Sequence, residues 1–218
     1  MRAIACLFLG LLVGCGGGNR SVRIDLPLPP KLDLSEYDHI YVSGFITDVA
    51  SDDFDADQET VNFLRREFKR NNVLSLVDVE PADLSGKDPR SFFTAQQGFF
   101  QSFNFPGTEN LLALSGVVSF ESLDRSGFRE VEGTDTFGRQ TYRTQFVEIT
   151  GFNLSVRVYV YDASTGKLLY RELLSDSMEL EGSNPDSKLV FYDLMQRISD
   201  RVMGLFTQTM VKAERNLL

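Results

Sequence analysis

"TGFNLSVRVYVYDASTGKLLYRELLSDSMEL", Thr150 to Leu180, is the stretch that decides the fold. Phe152, Leu154, Val156, Val158 and Val160 alternate with Asn153, Ser155, Arg157, Tyr159 and Tyr161. A period of two makes a strand with one core face and one wet face. "DASTGK" then carries turn chemistry, with Gly166 suited to a positive φ. "LLYRELLSDSMEL" returns as the antiparallel partner.

The flanking segments extend this hairpin into a sheet. "NLLALSGVVSFESL" reads as a strand, Gly127 to Gly138 as a polar loop, and "QTYRTQFVEI" as a segment that pairs nearby or continues through a bend at Gly151. Further upstream, "DHIYVSGFIT" is a strand. "ETVNFLRREFKRN" keeps helical spacing through Val61, Leu64, Arg65 and Phe68, and "VLSLVDV", closed by Pro81, is a second strand. A strand, helix, strand unit favours a parallel pair. "DPRSFFTAQQGFFQSFNFPG" predicts a helix with Phe92, Phe99 and Phe103 on one face, read first as core and second as an exposed face for a partner or membrane.

After "SNPDS", where Ser183 or Asn184 can cap, Pro185 fits the first turn and Asp186 suits the dipole, a long stripe follows. It runs through Leu189, Tyr192, Met195, Ile198, Val202, Leu205, Phe206 and Met210 and predicts a long amphipathic helix packed on the sheet. The fold class is therefore α/β: a mixed β-sheet flanked by helices, with an antiparallel hairpin and a long carboxyl-terminal helix. Its expected limits are residues 37–215, as a single domain.

Composition agrees with a globular chain: 42% of the 218 residues are hydrophobic and 24% charged, with 18 Phe and no Trp. The net charge of −9 disfavours nucleic acid, because no run of Lys and Arg offsets it. Arg65, Arg66, Lys69 and Arg70 instead fall near the end of the predicted helix, where cations complement the dipole.

The amino terminus reads as an address. "MRAIACLFLGLLVGC" has a charge at Arg2 and an apolar run from Ala3 to Val13, too short for the roughly 20 residues that span a bilayer. Leu12, Val13, Gly14 and Cys15 resemble the lipobox of bacterial lipoproteins. The resemblance implies that residues 1–14 are a signal peptide, that Cys15 receives a diacylglyceryl group, and that its freed amino group is acylated. Gly16 is not the Asp that signals inner-membrane retention in enterobacterial lipoproteins, so the resemblance points to an outer-membrane lipoprotein facing the periplasm. Residues 15–36, with three glycines and three prolines, read as the lipidated cysteine and its tether; the alternative is that "IDLPLPP" packs as an edge segment.

Chemistry-bearing patterns are scarce. Cys6 lies in the expected signal segment, so the folded part has no cysteine for zinc, disulfides or catalysis. His39 is the only histidine and lacks a nucleophile motif. Asp53, Asp55 and Asp57 match the first ligand positions of a calcium loop, but Gln58 stands in the glycine position and Leu64 in that of the closing Glu. "TGK" at Thr165 to Lys167 is not a phosphate loop. No enzyme activity, cofactor or metal is expected.

In order, "YDHIYVSGF", "ETVNFLRREFKRNNVLSLVDV", "LLALSGVVSFESL" and "FNLSVRVYVYDASTGKLLYRE" resemble the periplasmic domain shared by the curli secretion-channel lipoproteins, penicillin-binding-protein activator lipoproteins and the amino-terminal domain of the Tol propeller protein. The resemblance implies a membrane-anchored envelope lipoprotein acting by protein contact in assembly, secretion or regulation, with a homo-oligomer among its states. The alternatives are an oligomeric outer-membrane channel of the curli type and a ligand-binding periplasmic lipoprotein. Only Val117 to Tyr161 could supply channel strands, and Glu121, Asp124, Arg125, Arg129, Glu130, Glu132 and Asp135 crowd that region.

Overall fold

The structure, a computed structural model, describes residues 20–49, 53–95, 97–103, 105–182 and 185–217. In chain order its elements are β1 (Arg20–Leu28), β2 (His39–Val49), α1 (Ala56–Asn71), β3 (Ser75–Leu76), α2 (Pro89–Ala95), α3 (Gln97–Gln101), β4 (Leu111–Asp124), β5 (Gly127–Thr134), β6 (Gln140–Val147), β7 (Ile149–Asp162), β8 (Leu168–Glu181), α4 (Ser187–Met203) and β9 (Thr209–Leu217). They divide into two compact units, residues 29–207 and the strands on either side of them.

The larger unit is a mixed five-stranded sheet in the order β3-β2-β4-β7-β8. β2 runs parallel to β3 and β4, while β4–β7 and β7–β8 are antiparallel. The α/β expectation therefore holds, including the hairpin closed at Gly166, where φ is 66°. Asp162 fixes that turn by accepting from the backbone N–H of Ser164 at 2.8 Å and of Thr165 at 3.2 Å.

Alternation along β7 sorts its side chains between two layers. Phe152, Leu154, Val156, Val158 and Val160 are buried with α1 and α4 on one face. Tyr159 and Tyr161 are buried on the other face, under the Phe-rich segment. Near its start, Asn153, Ser155 and Arg157 stay partly or fully exposed, because that layer reaches only part of the sheet.

On the first face, α1 buries Val61, Leu64 and Phe68 at helical spacing and stops at Asn72, whose left-handed φ of 48° lets its N–H reach the Phe68 carbonyl at 3.0 Å. Asp78 receives both Arg65 and Lys69, so the basic cluster braces the chain beyond β3. α4 is capped by Asp186, which accepts from Lys188 N and Leu189 N at 3.0 and 3.1 Å. Pro185 precedes that cap, and Ser183 and Asn184 lie outside the described residues.

The carboxyl-terminal helix is shorter than its stripe predicts. It ends at Met203; Leu205 and Phe206 are buried in the turn that follows, and Met210 belongs to β9. Gly204 at the C-cap, followed by Thr207 N–H on the Met203 carbonyl at 2.8 Å, turns the chain out of the helix. Leu189, expected on the core stripe, is 62% exposed, since it lies in the first turn on the outer side.

The second face is covered by the Phe-rich helical segment of α2 and α3. Phe100 stacks on Tyr161 with ring centroids 3.8 Å apart, and Phe93 stacks on Tyr159 at 4.1 Å. Phe92, Phe99 and Phe103 join this layer edge-on. Phe92, Phe99 and Phe103 all meet this layer, as the core reading of the segment expects, and Phe93 and Phe100 join them in it.

"VLSLVDV" contributes only two ladder residues, because the loop beyond it folds back on β2. The carbonyl of Ala82 sits 2.0 Å from where a Cβ at Gly44 would lie, so only glycine permits that approach. The domain boundary also moves. Leu32 is buried, its N–H donates to the Leu205 carbonyl at 3.1 Å, and Lys31 pairs with Glu172 at 3.0 Å, so residues 29–36 belong to the compact unit rather than to a tether.

In the smaller unit β1 and β9 form an antiparallel pair in continuous register, from Arg20 opposite Leu217 to Leu28 opposite Thr209. Residues 20–28, expected as flexible and then extended tether, are thus a paired strand. A two-stranded ladder has outer edges, and these tolerate Pro27.

Candidate interaction surface

β4 and β7 pair from Leu112 opposite Asp162 to Asp124 opposite Thr150. β5 and β6 continue in the same register, from Gly127 opposite Val147 to Thr134 opposite Gln140. The other strands do not follow: β2 ends opposite Ser119, and β8 ends with Glu181 opposite Ile149. A two-stranded arm therefore projects beyond the five-stranded sheet.

Ion pairs and a tight turn hold the arm's two ends. Arg125 bonds Glu179 at 2.7 Å and Arg129 bonds Glu181 at 2.8 Å, tying its base to the last residues of β8. At the tip, Asp135 accepts from Phe137 N at 2.8 Å and Arg139 N at 2.9 Å, while Gly138 takes φ 80°. The hydrogen bond from Arg139 N–H holds the Asp135 carboxyl below its ordinary range, so the turn keeps its charge at neutral pH.

The arm displays aromatic surface. Phe128 is 78% exposed, Phe137 82%, Tyr142 58% and Phe146 53%. Phe128 stands opposite Phe146 with centroids 5.3 Å apart, and Tyr142 stands opposite Glu132 on the same face. The other face carries Arg129, Val131, Thr141, Arg143 and Gln145. Aromatic side chains with a polar rim are the composition of protein interfaces, and an isolated two-stranded ribbon is marginal in water unless something covers it.

This surface overturns the loop expected over Gly127 to Gly138. Two signals in the sequence point to it: Tyr142, Thr144 and Phe146 alternate with Thr141, Arg143 and Gln145, and "DTFG" supplies the turn. The charges on both faces hide an ordinary core strand pattern, since neither face meets a core.

Other singled-out residues have structural places. Cys15 lies outside the described residues. His39 is the first residue of β2, half-buried opposite Ser75 and Leu111. Asp55 precedes α1 as its cap residue, and Asp57 and Glu59 fill its first turn. Lys188 donates to Glu59 at 2.6 Å and the Tyr192 hydroxyl donates to the same carboxylate, joining α1 to α4. Those two donors, Lys188 foremost, hold the Glu59 carboxyl below its ordinary range.

A cleft of about 300 Å³ between α1 and the loop after β3 is lined by Asp57, Asn62, Glu80 and Asp83. Asp83 is turned to its own loop, accepting from Ser85 N at 2.9 Å. Among the described residues no three His, Cys, Asp or Glu side chains are grouped to hold a metal ion, and no helix is long and apolar enough to cross a membrane.

No known protein family matches this chain, and no curated protein matches it. Among solved structures it is similar to the hypothetical protein CT253 from Chlamydia trachomatis, at 16% identity and a TM-score of 0.47, over 78% of this chain and 98% of that one. It is also similar to the lipoprotein GNA1162 from Neisseria meningitidis, at 13% identity and a TM-score of 0.37, over 76% of this chain and 98% of that one. PelC from Paraburkholderia phytofirmans, solved as a dodecamer, has 12% identity and a TM-score of 0.37 over 87% of this chain and 99% of that one. Likeness at this level carries no functional weight.

Proposed function

We propose that this chain is a lipoprotein of the bacterial envelope, anchored through Cys15 in the outer membrane and facing the periplasm, that acts by contact with another envelope protein rather than by catalysis. The observation that carries the contact reading is the projecting arm, whose four exposed aromatic side chains lie beyond the reach of the core. The anchor rests on Leu12 to Cys15 behind a short apolar run. Two acyl chains hold a protein at a membrane stably where one holds it marginally, so the cysteine suffices as an address.

A photo-crosslinking residue at Phe137, in intact cells, tests the contact. An adduct with another envelope protein that disappears in Phe128→Ser/Phe146→Ser, with far-UV circular dichroism unchanged, is the expected result. Absence of any adduct in the otherwise unaltered chain overturns the contact reading. For the anchor, Cys15→Ser loses membrane fractionation; unchanged fractionation refutes acylation there.

The channel alternative needs a lipid-facing apolar band on the arm. One face carries Arg129 and Arg143 and the other Glu130 and Glu132, so neither offers it. A monomeric mass in detergent without conductance excludes that alternative, while conductance by a ring restores it.

A further inference from the structure

We propose that the aromatic and acidic face of the arm is a receptor for arginine: its occupant is an extended segment of the partner protein that carries arginine at alternate positions. The inference rests on the contact reading of the arm and adds the chemistry of what the arm meets.

Register sets four cross-strand pairs on this face: Phe128 opposite Phe146, Glu130 opposite Thr144, Glu132 opposite Tyr142 and Thr134 opposite Gln140. Every side chain in those pairs is exposed. The charged members are two carboxylates, bracketed by rings, with the Phe128–Phe146 pair toward the base and Tyr142 toward the tip. The arm's own cations are committed elsewhere. Arg129 bonds Glu181 at 2.8 Å, Arg139 bonds Asp135 at 2.9 Å, and Arg143 stands on the opposite face. Among the described residues neither Glu130 nor Glu132 has an ion-pair partner. Two residues apart on one side of a strand, they lie about 7 Å from one another and repel.

Charge and ring surface together select the occupant. A cation within about 6 Å of a ring centroid is held by the negative face of the ring, and a guanidinium stacks there while offering a carboxylate two N–H groups. Lysine brings a point charge and no plane. An extended chain repeats its side chains on one face every two residues, the same repeat that separates Glu130 from Glu132. A second copy fits less well: the chain carries −9 overall, and Arg129 on the arm's other face is already bound to Glu181.

The test uses the acylated full-length protein in detergent and three labelled peptides, acetyl-Arg-Thr-Arg-Thr-Arg-amide and its Lys and Glu counterparts, with binding read by fluorescence anisotropy. The arginine peptide binds more tightly than the lysine peptide, the glutamate peptide does not bind, and Glu130→Gln/Glu132→Gln weakens the arginine peptide about tenfold. Asp193→Asn/Asp200→Asn, which removes the same charge from exposed positions of α4, leaves binding unchanged. Equal loss in both variants marks general attraction to an acidic protein and overturns the proposal. So does an arginine peptide that fails to bind, that binds no better than the lysine peptide, or that binds the arm variant as well as the unaltered chain. Photo-crosslinking at Phe137 in cells separates this proposal from the reading beneath it. An adduct with an envelope protein that Glu130→Gln/Glu132→Gln abolishes supports the proposal, whereas one that the variant keeps overturns it and leaves the contact reading in place. An adduct between two copies assigns the face to a second copy and overturns it too. Absence of any adduct in the unaltered chain removes the contact reading and the proposal with it.

Discussion

Phe100→Ala tests whether the aromatic layer is a true second core. The ring is fully buried, stacked on Tyr161 at 3.8 Å and flanked edge-on by Phe99 at 5.2 Å and Phe103 at 6.0 Å. Removing it deletes that burial and leaves a void under two short helices, for which Phe→Ala losses of about 3–5 kcal/mol are typical. Domain stabilities are about 5–15 kcal/mol, so this is a large fraction. For a chain of this size, it lowers the melting temperature by about 10 °C. Urea unfolding followed by circular dichroism measures the loss, with Phe137→Ala, at an 82% exposed site, as a control expected within about 0.5 kcal/mol. A second readout is alkaline titration of tyrosine absorbance. Burial, with Tyr159 nearby adding to it, pushes the Tyr161 phenol well above its ordinary value. Opening the site brings that ionisation down toward pH 10. A loss under about 1 kcal/mol, with Tyr161 titrating unchanged, would refute the claim that this layer is close-packed core.

Gly116→Ala places a Cβ 2.3 Å from the Arg157 carbonyl and 2.4 Å from the Phe45 ring, neither free to move, and costs about 1–3 kcal/mol or more in thermal unfolding. Gly98→Ala in α3 meets nothing within 4 Å and stabilises by about 0.5–1 kcal/mol in the same measurement. Glu59 has a depressed folded pKa, so its contribution is present above the ordinary carboxylate value and is lost as pH falls through the folded one; Glu59→Gln removes that part of the acid dependence of stability. Asp186→Ala removes two N–H partners of α4 and costs about 1 kcal/mol by urea titration.

The hairpin of β7 and β8 was legible because its alternation and its turn residues agree, and α1 because Val61, Leu64 and Phe68 keep one period. Harder were the elements whose partners are remote in sequence. "RSVRIDLPL" shows a proline and no neighbour, since the strand that completes it begins at Thr209. Met210 looked like the end of a helical stripe because three-residue and four-residue spacing continues by chance past Gly204. The arm is hidden for a different reason: its aromatics have no core to alternate against, and a local hydrophobic pattern reports burial. The proposed anchor at Cys15 rests on local sequence alone, since a processing enzyme reads residues in order and needs no fold.

Pairing Arg20 with Leu217 also fixes an order of events. Loop closure over nearly two hundred residues is a slow kind of contact to form, and on the proposed reading of an exported lipoprotein β1 is delivered first and β9 last. On that reading, acylation at Cys15 precedes the pairing of β1 with β9. The ribbon closes afterwards, and its closure marks delivery of the strand through Leu217.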